Sequence, residues 1–167
     1  MGTVRLYLAP EEAAFLAASF PQFVKNNGTS IPVTGLAFDA AATENAFWKF
    51  EPINYGSGNV TCDVIWYADT ATSGVVRWEA ALAAITPGVD TQDVETKAMA
   101  AATAVNTTHL GGVGQRLHKT SITITNLDNV AAGDECWLRV TRLGDHAQDT
   151  MVGDAIVTSV RLSYSDA

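Results

Sequence analysis

Val75-Val76-Arg77-Trp78-Glu79-Ala80-Ala81-Leu82-Ala83-Ala84-Ile85 decides between two folds. Glu79 to Ile85 is rich in alanine and has the propensity for a helix. Read with period two, Val76, Trp78, Ala80, Leu82 and Ala84 share one side, and Arg77, Glu79 and Ala81 the other. The β-branched opening and the Pro87-Gly88 stop favour the strand. With this segment extended, most of the chain from residue 34 onward follows the same rhythm.

Working outward, Val60 to Tyr67 sends Cys62, Val64 and Trp66 to one face and Asp63, Ile65 and Tyr67 to the other. Thr34 to Phe38 and Ala46 to Glu51 are further short strands, with Phe47 opposite in phase to Trp48. Leu117 to Thr125 turns Thr120, Ile122 and Ile124 inward, and Cys136 to Arg142 does so with Cys136, Leu138 and Val140. Ala155 to Tyr164 alternates Ile156, Thr158, Val160, Leu162 and Tyr164 with Val157, Ser159, Arg161 and Ser163. Residues 90 to 110 read either way: Glu95, Lys97, Met99 and the alanines favour helix, whereas Thr96, Thr103, Val105, Thr107 and Thr108 favour extended chain, the preferred reading. Before residue 34, Thr3 to Leu8 is strand-like. Pro10-Glu11-Glu12 then opens a helix through Leu16, because proline suits the first turn and acids suit its positive end, and Pro21 stops it. About eight strands separated by Gly, Pro, Asn and Asp turns predict an antiparallel sandwich or barrel.

Charge narrows the function. Of 167 residues only 17% are charged, against about 25% in an ordinary soluble domain, and 18 acids against 10 bases leave a net charge of −8. Four lysines beside 19 threonines give no basic face for nucleic acid. No run approaches the roughly 18 apolar residues of a membrane span, and Pro10, Glu11 and Glu12 interrupt the one N-terminal apolar stretch, which argues against a secretory leader. Without export, Cys62 and Cys136 are expected as buried thiols, with a single disulfide as the alternative.

No motif for catalysis, a cofactor or a metal emerges. His109, His118 and His146 lack the spacing of a helical metal site, and Gly111-Gly112-Val113-Gly114 lacks the Lys-Ser/Thr of a phosphate loop. Asp145, Asp149 and Asp154 do not match an EF-hand and read as a solvated acidic loop. A glycosidase would need paired carboxylates. Glu51, Asp63 and Glu79 are the candidates, and exposed strand acids are the preferred reading. Trp66 and Trp78 keep step with apolar neighbours and read as core. Trp137 does not. It shares its face with Arg139 and Thr141 and is assigned to an interface or to contact with Arg161.

The blocks Leu36-Ala37-Phe38-Asp39, Phe47-Trp48-Lys49-Phe50, Val64-Ile65-Trp66-Tyr67-Ala68 and Gly74-Val75-Val76-Arg77-Trp78 are followed by Ala132-Gly133-Asp134, Leu138-Arg139-Val140-Thr141-Arg142, Asp149-Thr150-Met151 and Gly153-Asp154-Ala155. In that order they resemble the jelly-roll structural domains of tailed-bacteriophage virions, of the capsid decoration (cement) and head-fibre or tail types. The resemblance implies an all-β antiparallel jelly-roll β-sandwich, assigned to residues 34–167; residues 1–33, distinct in composition and outside the resemblance, are expected to be an N-terminal arm or attachment segment. The resemblance also implies a non-enzymatic subunit without cofactor, forming homotrimers on the major capsid protein of a virion assembled in the host cytoplasm. Trp137, Arg139, Arg161, Arg77, Phe15 and Phe20 are the expected interface residues. The competing expectation is a receptor- or carbohydrate-binding module of the same fold presenting aromatic side chains.

Overall fold

The structure is a computed structural model and describes residues 2–167. Ten strands account for almost all of its regular structure: β1 (Thr3–Leu8), β2 (Gln22–Asn27), β3 (Pro32–Phe38), β4 (Thr43–Phe50), β5 (Tyr55–Ala68), β6 (Val75–Ile85), β7 (Thr103–Thr108), β8 (His118–Ile124), β9 (Glu135–Leu143) and β10 (Ala155–Asp166). The larger sheet has the order β2-β3-β10-β5-β8 with β1 also on β10, and the smaller is β4-β9-β6-β7. All pairings are antiparallel. Val75–Ile85 is a strand in the middle of the smaller sheet, and residues 103–108 are the extended piece of the ambiguous segment.

The inward faces pack as the alternation requires. Trp48, Trp66, Trp78, Phe38, Leu82, Ile122, Ile124, Leu138 and Leu162 form one fully buried cluster between the sheets. Side chains from two sheets interdigitating in this way make a sandwich core about 10 Å thick. Trp66 donates its indole N–H to Thr120 Oγ1 at 3.0 Å, and Trp48 donates to the carbonyl of Ala9 at 2.8 Å. Each ring is thus buried with its polar handle satisfied. Cys62 and Cys136 are free and buried. Burial, with Asp134 and Glu135 close by, pushes the Cys136 thiol up to about 12, and burial raises that of Cys62 as well.

Three expectations change. The helix predicted from Pro10 to Leu16 is one 3-10 turn, Pro10–Glu12. Beyond it, Ala14 exchanges backbone hydrogen bonds with Phe47 at 2.8 and 3.0 Å, and Ser19 accepts one from Asn45 at 2.8 Å. The segment therefore runs along the free edge of β4, and pairing to that edge outweighs local helix propensity. Residues 3–8 and 22–27, expected within the N-terminal arm, are strands of the larger sheet: β1 pairs with β10 from Leu8↔Val160 to Thr3↔Ser165, and β2 pairs with β3 along its whole length. β3 occupies Ala155–Val157 of β10, so β1 and β3 share successive lengths of one edge while β5 holds the other. Lastly, a bulge at Thr158 interrupts the pairing of β10 with β5 between Val157 and Ser159. It reverses the strand's phase, as one extra residue must. Ala155 and Val157 join the core before it and Val160, Leu162 and Tyr164 after it. Ile156 instead packs outside the sheet with Ala37 and Tyr67.

Candidate functional site

The outward face of the smaller sheet is where unspent chemistry collects. Across β4, β9 and β6, strand register sets Lys49 beside Trp137 and Ala83, then Phe47 beside Arg139 and Ala81, then Asn45 beside Thr141 and Glu79. Arg77 on β6 faces Asn106 on β7 in the last row. Rows two residues apart are separated by about 6.6 Å, so the strip from Trp137 to Arg77 is roughly 20 Å long.

One end of the strip is aromatic. Trp137, Phe47 and Ala83 floor a slot of about 250 Å³, walled by Ala14-Phe15-Leu16 on one side and by Val94, Lys97 and Met99 on the other. The first wall is held by the Ala14–Phe47 bridge. The second is held by Ala100, which donates its N–H to the Leu82 carbonyl at 2.8 Å, and by Lys97, whose Nζ lies 2.8 Å from Asp128 Oδ2. Trp137 and Phe47 are half-buried, whereas Phe15 is 40% and Leu16 65% exposed. The volume is below the roughly 300 Å³ of a drug-sized pocket. The slot is open, with room for only part of an extended molecule.

The other end is polar and pre-ordered. Arg77 donates from Nη1 to Asn106 Oδ1 at 2.9 Å and Gln148 Oε1 at 2.6 Å. Thr141 donates to Asn45 Oδ1 at 2.7 Å. Arg139 Nη2 lies 3.9 Å from Glu79 Oε2, too long for a hydrogen bond. The Nε atoms of Arg77 and Arg139 are both buried without a partner. Fixed planar donors and acceptors beside an apolar slot suit a ligand with one apolar face and a rim of hydroxyls.

The structure places the expected interface residues on three surfaces. Trp137, Arg139 and Arg77 share the strip. Phe15 forms its wall, with Phe20 packed on Phe15 at 5.9 Å between ring centroids. Arg161 is on the outer face of the other sheet, beside Tyr7 and Asp63, and is separated from Trp137 by the whole core. Glu51, Asp63 and Glu79 do not converge either. Asp63 faces out from the larger sheet, where it accepts from Ser121, and Glu79 faces out from the smaller one. Asp149 is no solvated acid: its side chain is fully buried against Arg142. Phe47, Asn106 and Gln148 went unassigned in the sequence. For Phe47 the signal was present, since it is out of phase with Ala46, Trp48 and Phe50.

A larger groove of about 760 Å³ lies outside the larger sheet, between the β2–β3 hairpin and residues 115–117. Its one aromatic residue, Tyr67, is only 7% exposed and accepts from Asn26 Nδ2 through its hydroxyl. That ring offers no free face. Among the described residues, no group of three or more metal-ligating side chains is assembled, and no helix is long and apolar enough to cross a membrane.

Among solved structures, the chain is similar to CBM35 from Cellvibrio japonicus Abf62, with TM-score 0.53 at 9% identity over 98% of this chain and 99% of that one. The fold is the jelly-roll β-sandwich. Other similar structures are the mannan-recognising carbohydrate-binding module TmCBM27 (TM-score 0.48, 13% identity, 99% of both chains) and the C-terminal CBM6 of LamC from Zobellia galactanivorans (0.47, 14%, 95% and 98%). No family model matches the sequence, and no curated protein matches it.

Proposed function

We propose that the chain is a non-catalytic binding module whose ligand is a carbohydrate chain laid along the outer face of the smaller sheet. One observation carries this reading: the aromatic slot of Trp137 and Phe47 runs without a break into the ordered polar side chains Arg139, Glu79, Asn45, Arg77 and Asn106. A pyranose ring has an apolar C–H face that stacks on an indole and equatorial hydroxyls that need fixed donors and acceptors. The jelly-roll fold shared with a carbohydrate-binding module supports the reading. The test is a glycan and polysaccharide array probed with the labelled chain and with Trp137→Ala. The expected result is a restricted set of retained glycans, lost in the variant. An array on which neither protein is retained overturns the reading.

A second reading, a homotrimeric subunit decorating a phage capsid, draws support from Phe15, Leu16 and Phe20, which stand exposed together on the segment along β4. Exposed apolar clusters of this kind mark contact surfaces. Sedimentation equilibrium at micromolar concentration would give a trimer under this reading, and dissociation on Phe15→Ser with Phe20→Ser. A monomer at all concentrations contradicts it.

A further inference from the structure

We infer that the carbohydrate is acidic, with a sugar carboxylate received at the arginine end of the strip by Arg77. This rests on the carbohydrate reading above and adds the ligand's charge. Among the described residues Arg77 makes no ion pair: its Nη1 donates to the neutral amide oxygens of Asn106 and Gln148, and its Nε is buried without a partner. The carboxylate nearest in sequence, Asp149, accepts the Arg77 backbone N–H at 3.0 Å but spends both oxygens on Arg142. Its charge is therefore already matched. Arg139 stands two rows away, with its donors unspent by the 3.9 Å contact to Glu79.

The charges along the strip are thus sorted by position. At the aromatic end Lys49 is paired with Glu135 and Lys97 with Asp128, each at 2.8 Å, and Glu95 borders the slot; Glu79 and Arg139 balance in the middle, and Arg77, at the far end, has no carboxylate partner among the described residues. On a chain of net charge −8, an uncompensated guanidinium on a face of fixed amides is not a product of composition. With Nη1 spent on the two amides, Nη2 is the donor that Arg77 turns to a ligand, and a charge-assisted hydrogen bond from it to a carboxylate is stronger than one to a neutral hydroxyl. The geometry asks for a chain that stacks a ring at Trp137 and places a carboxylate roughly 20 Å away, so several linked sugars carrying a uronic acid.

Isothermal titration calorimetry with the full chain tests this using polygalacturonate, alginate and hyaluronan, each beside its carboxyl-reduced form. At least one acidic polysaccharide is expected to bind about tenfold or more tightly than its reduced counterpart, with the difference shrinking at higher salt. Arg77→Gln is expected to bring the acidic ligand down to the affinity of the reduced one, and Arg77→Lys to restore part of the gap. Equal binding of both forms, with both lost in Trp137→Ala, overturns the acidic assignment and leaves carbohydrate binding standing. No binding of any polysaccharide, here and on the array, overturns the underlying reading together with this one.

Discussion

Arg142 uses all its donors inside the protein. Its Nε and Nη2 reach the two carboxylate oxygens of Asp149 at 3.0 and 2.9 Å, Nη1 donates to the carbonyls of Phe38 and Gly153, and Nη2 also donates to that of Met151. Both side chains are fully buried. Removing one charge strands the other in low dielectric, so Asp149→Asn is expected to lower the unfolding free energy by about 3–5 kcal/mol in urea denaturation. A loss under 1 kcal/mol would contradict the pairing. Strand alternation puts Arg142 on the core side, yet spacing alone could not tell that Asp149 rather than water or a cation meets it. His109 and His118 show the same limit. Nine residues apart, their rings lie 4.4 Å apart between centroids. His118 Nε2 accepts the Leu110 N–H and His109 Nδ1 the Gly111 N–H. Burial, helped by neighbouring His109, holds the His118 pKa below its ordinary value. The unfolded chain then binds the proton first, and stability is lost as pH falls below about 6.5. Glu44 and Asp154, raised mainly by burial, act in the opposite sense, so the comparison needs a variant. His118→Gln keeps an acceptor and does not titrate. Its melting temperature is expected to drop less than that of the parent between pH 7.5 and 5.5, and parallel curves would count against the histidine.

Elements are held by their edges. β4 would offer a row of unpaired backbone groups, and residues 14–19 cover it with three hydrogen bonds from 2.8 to 3.0 Å. β1 fills the length of β10 that β3 leaves open. Deleting residues 1–33 therefore removes a neighbour from β10, the partner of β3, and the cover of β4. The truncated chain is expected to be insoluble or to lack dispersed amide resonances, and a soluble, dispersed spectrum would show that the strands are dispensable. Strands such as β8 and β9 were legible in the sequence because their apolar residues alternate and a turn follows. The N-terminal pairing was not, since Ala13-Ala14-Phe15-Leu16 has helix propensity and its partner lies some thirty residues on. Nor was the phase of Ile156 legible, because a bulge is set by the partner strand and leaves no mark in the pattern of apolar residues.

At the scale of the molecule, the low charge density has two sources. The inward half of each strand is core, and Thr, Ser and Ala take many of the outward positions, among them Thr61, Ala81, Ala83, Ser121, Thr123 and Thr141. Against that background the outer face of the smaller sheet stands apart, with an indole and a phenyl ring at one end and guanidinium and amide groups at the other. Of this strip the sequence disclosed Trp137, Arg139 and Arg77 by phase. Their shared sheet, the separation of Arg161, and the walls supplied by residues 14–16 and 94–99 needed the tertiary structure. The central claim is that this face binds carbohydrate, and a nitrogen-15 correlation spectrum titrated with the glycan best retained on the array tests it most directly. Trp48, Trp66 and Trp78 are buried, so the Trp137 indole N–H resonance is expected to shift alone among the four, together with backbone amides around Phe47 and Arg139. Shifts confined to the Tyr67 groove or the Arg161 face, with the Trp137 indole unmoved, would contradict the account.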